Sequence, residues 1–264
     1  MGEAGMAYKW GATNTDRLSG DTRYETAMAT SQDAFADNSS DYVVVATGLN
    51  FADALSASGL AGAYGCPLLI TGNTLSTELT DEIDRVGASN VVLIGGPAAI
   101  PEVVETDLGT AGYTVTRIEG DNRYDTSAMV ADEIKTVTTA GDGFHQSVFI
   151  ARGDNFADAL AISPFAYSEK NPVLLVRTDS VPAETEAALT DLNIQAATLV
   201  GGTAAISADT MDDIDDIIVT GNGGMSSDRW SGANRYETAA VIAQHGIDAG
   251  FADASYIGVA TGVN

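Results

Sequence analysis

The 264 residues predict two tandem α/β units with mostly parallel central sheets, followed by the start of a third. Three observations carry this. An eleven-residue motif occurs at Arg17–Ala27 (RLSGDTRYETA), Arg117–Ser127 (RIEGDNRYDTS) and Arg229–Ala239 (RWSGANRYETA). A second motif follows each copy: ATGLNFADALS from Ala46, ARGDNFADALA from Ala151 and ATGVN from Ala260. Between them, short β-rich apolar runs alternate with helical stretches. The central arginines Arg23, Arg123 and Arg235 are 100 and 112 residues apart, the size of a small domain.

Taken in order, the first unit opens with a helix. Thr22 and Glu25 have capping-box spacing, as do Asn122 with Asp125 and Asn234 with Glu237. DYVVVATG near Tyr42–Thr47 is the first strand, and its apolar run suits a strand buried on both faces of a parallel sheet. Asn50 with Asp53 then caps an Ala-rich helix of about 14 residues, which ends at Gly65 as a C′ residue. PLLITG near Leu68–Thr71, NVVLIGG near Val91–Gly95 and YTVTRI near Tyr113–Ile118 supply three more strands. The second unit repeats the plan with QSVFIARG, a helix capped by Asn155 with Asp158, PVLLVRT and ATLVGGT. Its fourth strand is expected at DIIVTG, near Ile217–Thr220. Phe51 and Phe156 are expected in the core at the start of the long helices. Strand–helix alternation with short connections gives an open, mostly parallel layer structure.

The motif period divides the chain into residues 1–15, a tag or flexible lead, then 16–113, 114–227 and a truncated third unit at 228–264. The third unit is expected to hold a helix at about Arg235–Gly246 and a strand at about Tyr256–Ala260. Asn264 would cap a helix that is absent, so the chain reads as a fragment, or its tail borrows packing from a neighbour.

Composition narrows the function. Against 37 acidic residues stand 12 basic ones, a net charge of −25. No basic face for nucleic acid can be assembled from so few cations. The hydrophobic fraction of 45% argues against disorder, and the acidity reads as adaptation to high salt, with a halophilic source. No apolar run approaches the roughly 18 residues that would span a membrane. The opening residues show no secretory signal. Cys66 is the one cysteine, which excludes an internal disulfide, and a small buried residue before Pro67 accounts for it.

These residues resemble the cell wall-binding repeat type 2 family, found in tandem on surface proteins. The resemblance rests on R-x-x-G-x-x-R-Y-x-T, then N-F-A-D-A-L, P-L-L-I-T and L-I-G-G-x-x-A-I, in that order from Arg17 onward. It implies Toprim-like (Rossmann-like) units, usually three about a pseudo-threefold axis, and an extracellular, cell-surface location. It also implies non-covalent, non-catalytic attachment to an anionic envelope polymer or glycan. The alternative is architectural: the repeats associate with one another or with S-layer protein. An envelope hydrolase is the third reading. Toprim enzymes hold Mg²⁺ with a Glu after the first strand and a D-x-D after a later one, whereas these strand ends read ATG and IGG.

Six of nine arginines sit in the repeated motif: Arg17, Arg23, Arg117, Arg123, Arg229 and Arg235. They are candidates for binding phosphate or carboxylate on a polymer, since a guanidinium donates two parallel hydrogen bonds. Equally, they could join repeats by pairing with Asp53, Asp158, Glu25, Asp125 or Glu237. Tyr24, Tyr124 and Tyr236 could stack on sugars or pack on the sheet edge. Asp53 and Asp158 read as helix caps rather than catalytic acids. His145 and His245 are isolated, no Cys/His spacing suits zinc, and no cofactor motif occurs.

Overall fold

The computed structural model describes residues 17–50, 52–139, 141, 143–155 and 157–250, without the side chains of 157–159. The expectations for Phe51, Phe156 and the strand near Tyr256–Ala260 lie outside the described residues.

The first sheet is built from β1 (Tyr42–Thr47), β2 (Leu68–Thr71), β3 (Asn90–Ile94) and β4 (Thr114–Ile118). They run parallel in the order β2-β1-β3-β4. Helices α1 (Arg23–Ala34), α2 (Ala52–Tyr64), α3 (Thr77–Val86) and α4 (Glu102–Ala111) connect them. The second sheet repeats the order as β6-β5-β7-β8, again all parallel, from β5 (Ser147–Arg152), β6 (Val173–Val176), β7 (Ala196–Val200) and β8 (Asp228–Trp230). Its helices are α5 (Arg123–Thr139), α6 (Ala157–Glu169), α7 (Ala183–Asp191) and α8 (Ala208–Asp215). Helix α9 (Arg235–Asp248) follows β8.

Each sheet is covered on both faces, which is why the central strands are apolar throughout. Val43, Val45, Leu69, Val91 and Leu93 pack under Met28 of α1, Leu79 and Ile83 of α3 and Leu108 of α4. Val44, Val92, Ile94 and Ile118 face the other way, against Ala57, Leu60 and Ala61 of α2 and against Val130 and Ile134 of α5. Helix α5 turns Ala131 to the second sheet at the same time. It is therefore shared between the units, and the first sheet does not complete its own core.

Both sheets close on strands that lie past the period boundaries, β4 beyond residue 113 and β8 beyond residue 227. The fourth strand of the second unit is β8, not DIIVTG. Asp216–Gly221 instead forms a π-helical extension of α8 that buries Ile218 in the core under α7. Three β-favouring residues, Ile217–Val219, were outweighed by that helical burial. The stop at Gly65 follows expectation: its φ is +64°, and the Cys66 N–H donates to Ala61 O at 2.9 Å.

Candidate functional site

The repeated motif builds the start of a helix. Its glycine N–H donates to the hydroxyl of its threonine in all three copies, Gly20 to Thr26 at 3.1 Å, Gly120 to Thr126 at 3.1 Å and Gly232 to Thr238 at 3.0 Å. A Cβ on Gly120 would lie 2.5 Å from the Thr126 nitrogen, so this turn admits no side chain. Thr22 and Glu25 form the complete reciprocal cap. Asn122 and Asn234 accept from Asp125 N and Glu237 N. The motif acids there reach one residue earlier, to the N–H of Asp121 and Ala233, at 2.9 and 3.0 Å.

The arginines have carbonyl partners at the C-terminal ends of central strands. Arg23 Nη1 donates to Gly48 O after β1 at 2.7 Å, and Arg123 Nη1 to Gly153 O after β5 at 2.5 Å. Arg117 Nη1 donates to Gly95 O after β3 at 2.7 Å, and Arg229 Nη1 to Gly201 O after β7 at 2.8 Å. Gly95 and Gly201 have φ of +106° and +107°, which turns the chain at the strand end and suits glycine. The first arginine thus belongs to the closing strand of one unit and the second to the opening helix of the next. Arg117 also pairs with Glu105 at 2.8 Å. Met211 stands in the matching place beside Arg229, and burial pushes that guanidinium's pKa down. Arg17 is exposed ahead of α1, and Arg235 is half-buried at the first position of α9.

The motif tyrosines lean on the same glycines. A Cβ at Gly48 would lie 2.6 Å from Tyr24 Cε1, and one at Gly153 would lie 2.8 Å from Tyr124 Cε1. Tyr236 is 49% exposed.

In an open parallel sheet, the crevice between the strands where the order reverses is the common ligand site. Here that is the gap between β1 and β3. Asn50 caps α2 by accepting from Ala52 N at 3.3 Å. The Asp53 carboxylate faces Gly95 rather than returning to Asn50, since a Cβ at Gly95 would lie 2.5 Å from Asp53 Oδ2. Burial raises the Asp53 pKa, and the field of Arg123 opposes that rise. Glu119 Oε2 stands 3.0 Å from where a Gly96 Cβ would be. Asn155 is exposed at the matching turn of the second unit, and the side chain of Asp158 lies outside the described ones.

Helix α2 packs on both α5 and α6, and Gly59 and Gly62 permit the approach to the carbonyls of Asn171 and Tyr167. Leu55 of α2 reaches the core of the second sheet beside Phe149, Ile162 and Phe165. Tyr64 Oη donates to Glu133 Oε1 across the junction at 2.7 Å. Helix α9 meets α6 as α5 meets α2, with one exchange of volume. Leu60 packs with Ile134, whereas the equivalent Phe165 fills the space left by Gly246.

Residues 17–105 and 117–211 each match the family model described as cell wall binding domain 2. The chain belongs to this family. It is 32% identical over 229 residues to the N-acetylmuramoyl-L-alanine amidase LytC of Bacillus subtilis (strain 168), covering 86% of this chain and 42% of that protein. Among solved structures it resembles Cwp6 from Clostridium difficile, with a TM-score of 0.73, 27% identity and coverage of 88% and 38% of the two chains. Cwp8 from the same organism gives a TM-score of 0.72 at 26% identity, covering 85% and 36%. The chain spans less than half the length of each of these three.

Four of the six motif arginines, Arg23, Arg117, Arg123 and Arg229, thus donate to carbonyls at strand ends. Residues that the motif does not contain are exposed beside it. Two open grooves of about 720 Å³ recur in the two units, one between α1 and α3 and one between α5 and α7. Asp21, Glu25 and Asp81 line the first, and Asp125, Asp132 and Asp191 the second, so neither would draw an anion. Sequence reasoning missed Arg152, the last residue of β5, and Arg177, the first residue after β6. The available signal was their mismatch with Thr47 and Gly72 at the same places in the first unit. No helix among the described residues is long and apolar enough to cross a membrane.

Proposed function

We propose that this chain is a non-catalytic attachment module, holding the protein that carries it on an anionic polymer or glycan of a cell envelope. The observation that supports this most is the repeated junction. Two sheets with the same strand order are held by a shared helix, so their strand-end edges keep a fixed spacing. Weak contacts at fixed spacing add through effective concentration. The family match supports a cell wall partner. The net charge of −25 supports operation in molar salt, where the Debye length shortens to about 3 Å and surface carboxylates cease to repel.

Retention on isolated envelopes in molar KCl, before and after enzymatic deglycosylation, tests the reading. Saturable retention that deglycosylation abolishes is expected. Retention unchanged by deglycosylation would favour association with S-layer protein or with further copies of the chain. Hydrolysis of envelope polymer by the purified chain would overturn the non-catalytic part.

A further inference from the structure

We infer that the second unit carries an anion subsite of its own, formed by Arg177, Arg152 and Arg123 around Tyr124, which takes a phosphate or carboxylate group borne on a sugar. The inference rests on the attachment function proposed above and deepens it.

Only three arginines lie outside the motif: Arg85, Arg152 and Arg177. Arg85 is consumed internally, by Glu82 at 2.7 Å, Asp37 at 3.0 Å and the Phe35 carbonyl at 2.9 Å. The other two lie at one end of the sheet. Arg152 and Val176 are register partners, and the Gly153 N–H donates to Val176 O at 2.9 Å, so Arg152 and Arg177 sit on neighbouring strand ends, and Tyr124 acts on both. The Gly153 carbonyl accepts from Arg123, and the Tyr124 ring covers the same glycine.

Arg177 is exposed, with its guanidinium carbon 5.0 Å from the centre of the Tyr124 ring. A guanidinium stacked on an aromatic face spends no N–H donor on that contact. Its edge remains set for two parallel hydrogen bonds to a planar carboxylate or a phosphate. Neighbouring acids bound the patch and set its selectivity. Arg152 pairs with Asp154 through both Nε and Nη2, and Glu184 accepts from Asn122 at 2.8 Å while feeling the charge of Arg177. Those carboxylates repel densely packed anionic groups, so the patch favours a polymer whose charges are spaced one to a sugar.

The first unit is the internal control. It carries Thr47 and Gly72 where the second carries Arg152 and Arg177, on the same backbone and beside the equivalent Tyr24. Arg177→Gly therefore installs a residue the fold already accepts.

Titration of the whole chain in molar KCl with glucuronate, glucose 1-phosphate and neutral glucose, followed by NMR shifts of the arginine Nε–H groups, tests the subsite. Saturable shifts with a charged sugar and none with glucose are expected. Arg177→Gly should weaken that binding about tenfold or more at an unchanged thermal midpoint, and Thr47→Arg combined with Gly72→Arg should add a second site. Equal affinity of wild type and Arg177→Gly, or equal shifts with glucose, would overturn the subsite. Inorganic phosphate separates the charge from the sugar: binding as tight as glucose 1-phosphate would overturn the sugar requirement. Envelope retention is read on the same variants. Loss of sugar binding with retention intact removes the subsite alone, and absence of retention in the wild type removes the attachment function.

Discussion

Arg117, on the last strand of the first sheet, donates to the carbonyl of Gly95 at the end of β3, and six residues later the chain enters the helix that begins the second unit. Arg123 then makes the same kind of bond to Gly153. The motif is thereby a stitch between two sheets, with one arginine in each. Arg117 is 9% exposed at its side chain and also holds Glu105. Arg117→Ala should lower stability by about 2–3 kcal/mol, since it strands a charge-assisted partner and a strand-end carbonyl. Denaturant titration in high salt measures this, and an unchanged midpoint would remove Arg117 from the stitch.

The exchange of volume between Phe165 and Gly246 makes the two junctions non-interchangeable. Gly246→Ile should force Phe165 out of place, with a cost of about 1–3 kcal/mol. Phe165→Leu, which copies Leu60, should restore part of that loss. A double-mutant cycle by thermal melting reads the coupling, and strict additivity would show that the two residues do not compete for space.

Asp53 gives a pH signature. Its folded pKa is raised, chiefly by burial, so the protonated form is favoured in the folded chain. That contribution is fully present below the unfolded pKa of about 3.9 and is lost as pH rises through the folded value. At neutral pH the ionised carboxylate therefore weakens the fold. Asp53→Asn should raise the thermal midpoint at pH 7, and the gain should shrink as pH falls toward 4. A loss of stability at pH 7 would show that the charge is needed where it sits.

Stability should also require salt. With 37 acidic and 12 basic residues, dilution to about 0.01 M lengthens the Debye length to about 30 Å and restores repulsion across each unit. The thermal midpoint should fall steeply between molar and millimolar KCl. A constant midpoint would contradict the reading of the acidity as salt adaptation.

Much of the fold was legible in the residues. Runs such as Val43–Ala46 and Val91–Ile94 are apolar because both faces of the sheet are covered, and Gly65 ends its helix as its position implied. The last strand of the second sheet was not legible as a strand, because Asp228–Trp230 has no apolar run to mark it. Aligning RIEG with RWSG would have placed it, since Arg117 and Arg229 share a role. The motif arginines were visible as candidates, but their partners were not. Backbone carbonyls at strand ends carry no mark in a sequence, whereas the acids Glu25 and Asp125 did and proved to be helix caps.

The central claim is that the motif builds strand ends, and that it shares in recognition only in the second unit, where Arg123 and Tyr124 frame Arg152 and Arg177. Arg23 tests this most directly, being an exposed motif arginine in the unit without Arg152 and Arg177. Thermal midpoint and envelope binding per folded molecule are to be measured together for Arg23→Ala. The account predicts a lowered midpoint with binding per folded molecule retained. An unchanged midpoint with binding reduced severalfold would contradict it, and would make Arg23 itself a polymer ligand.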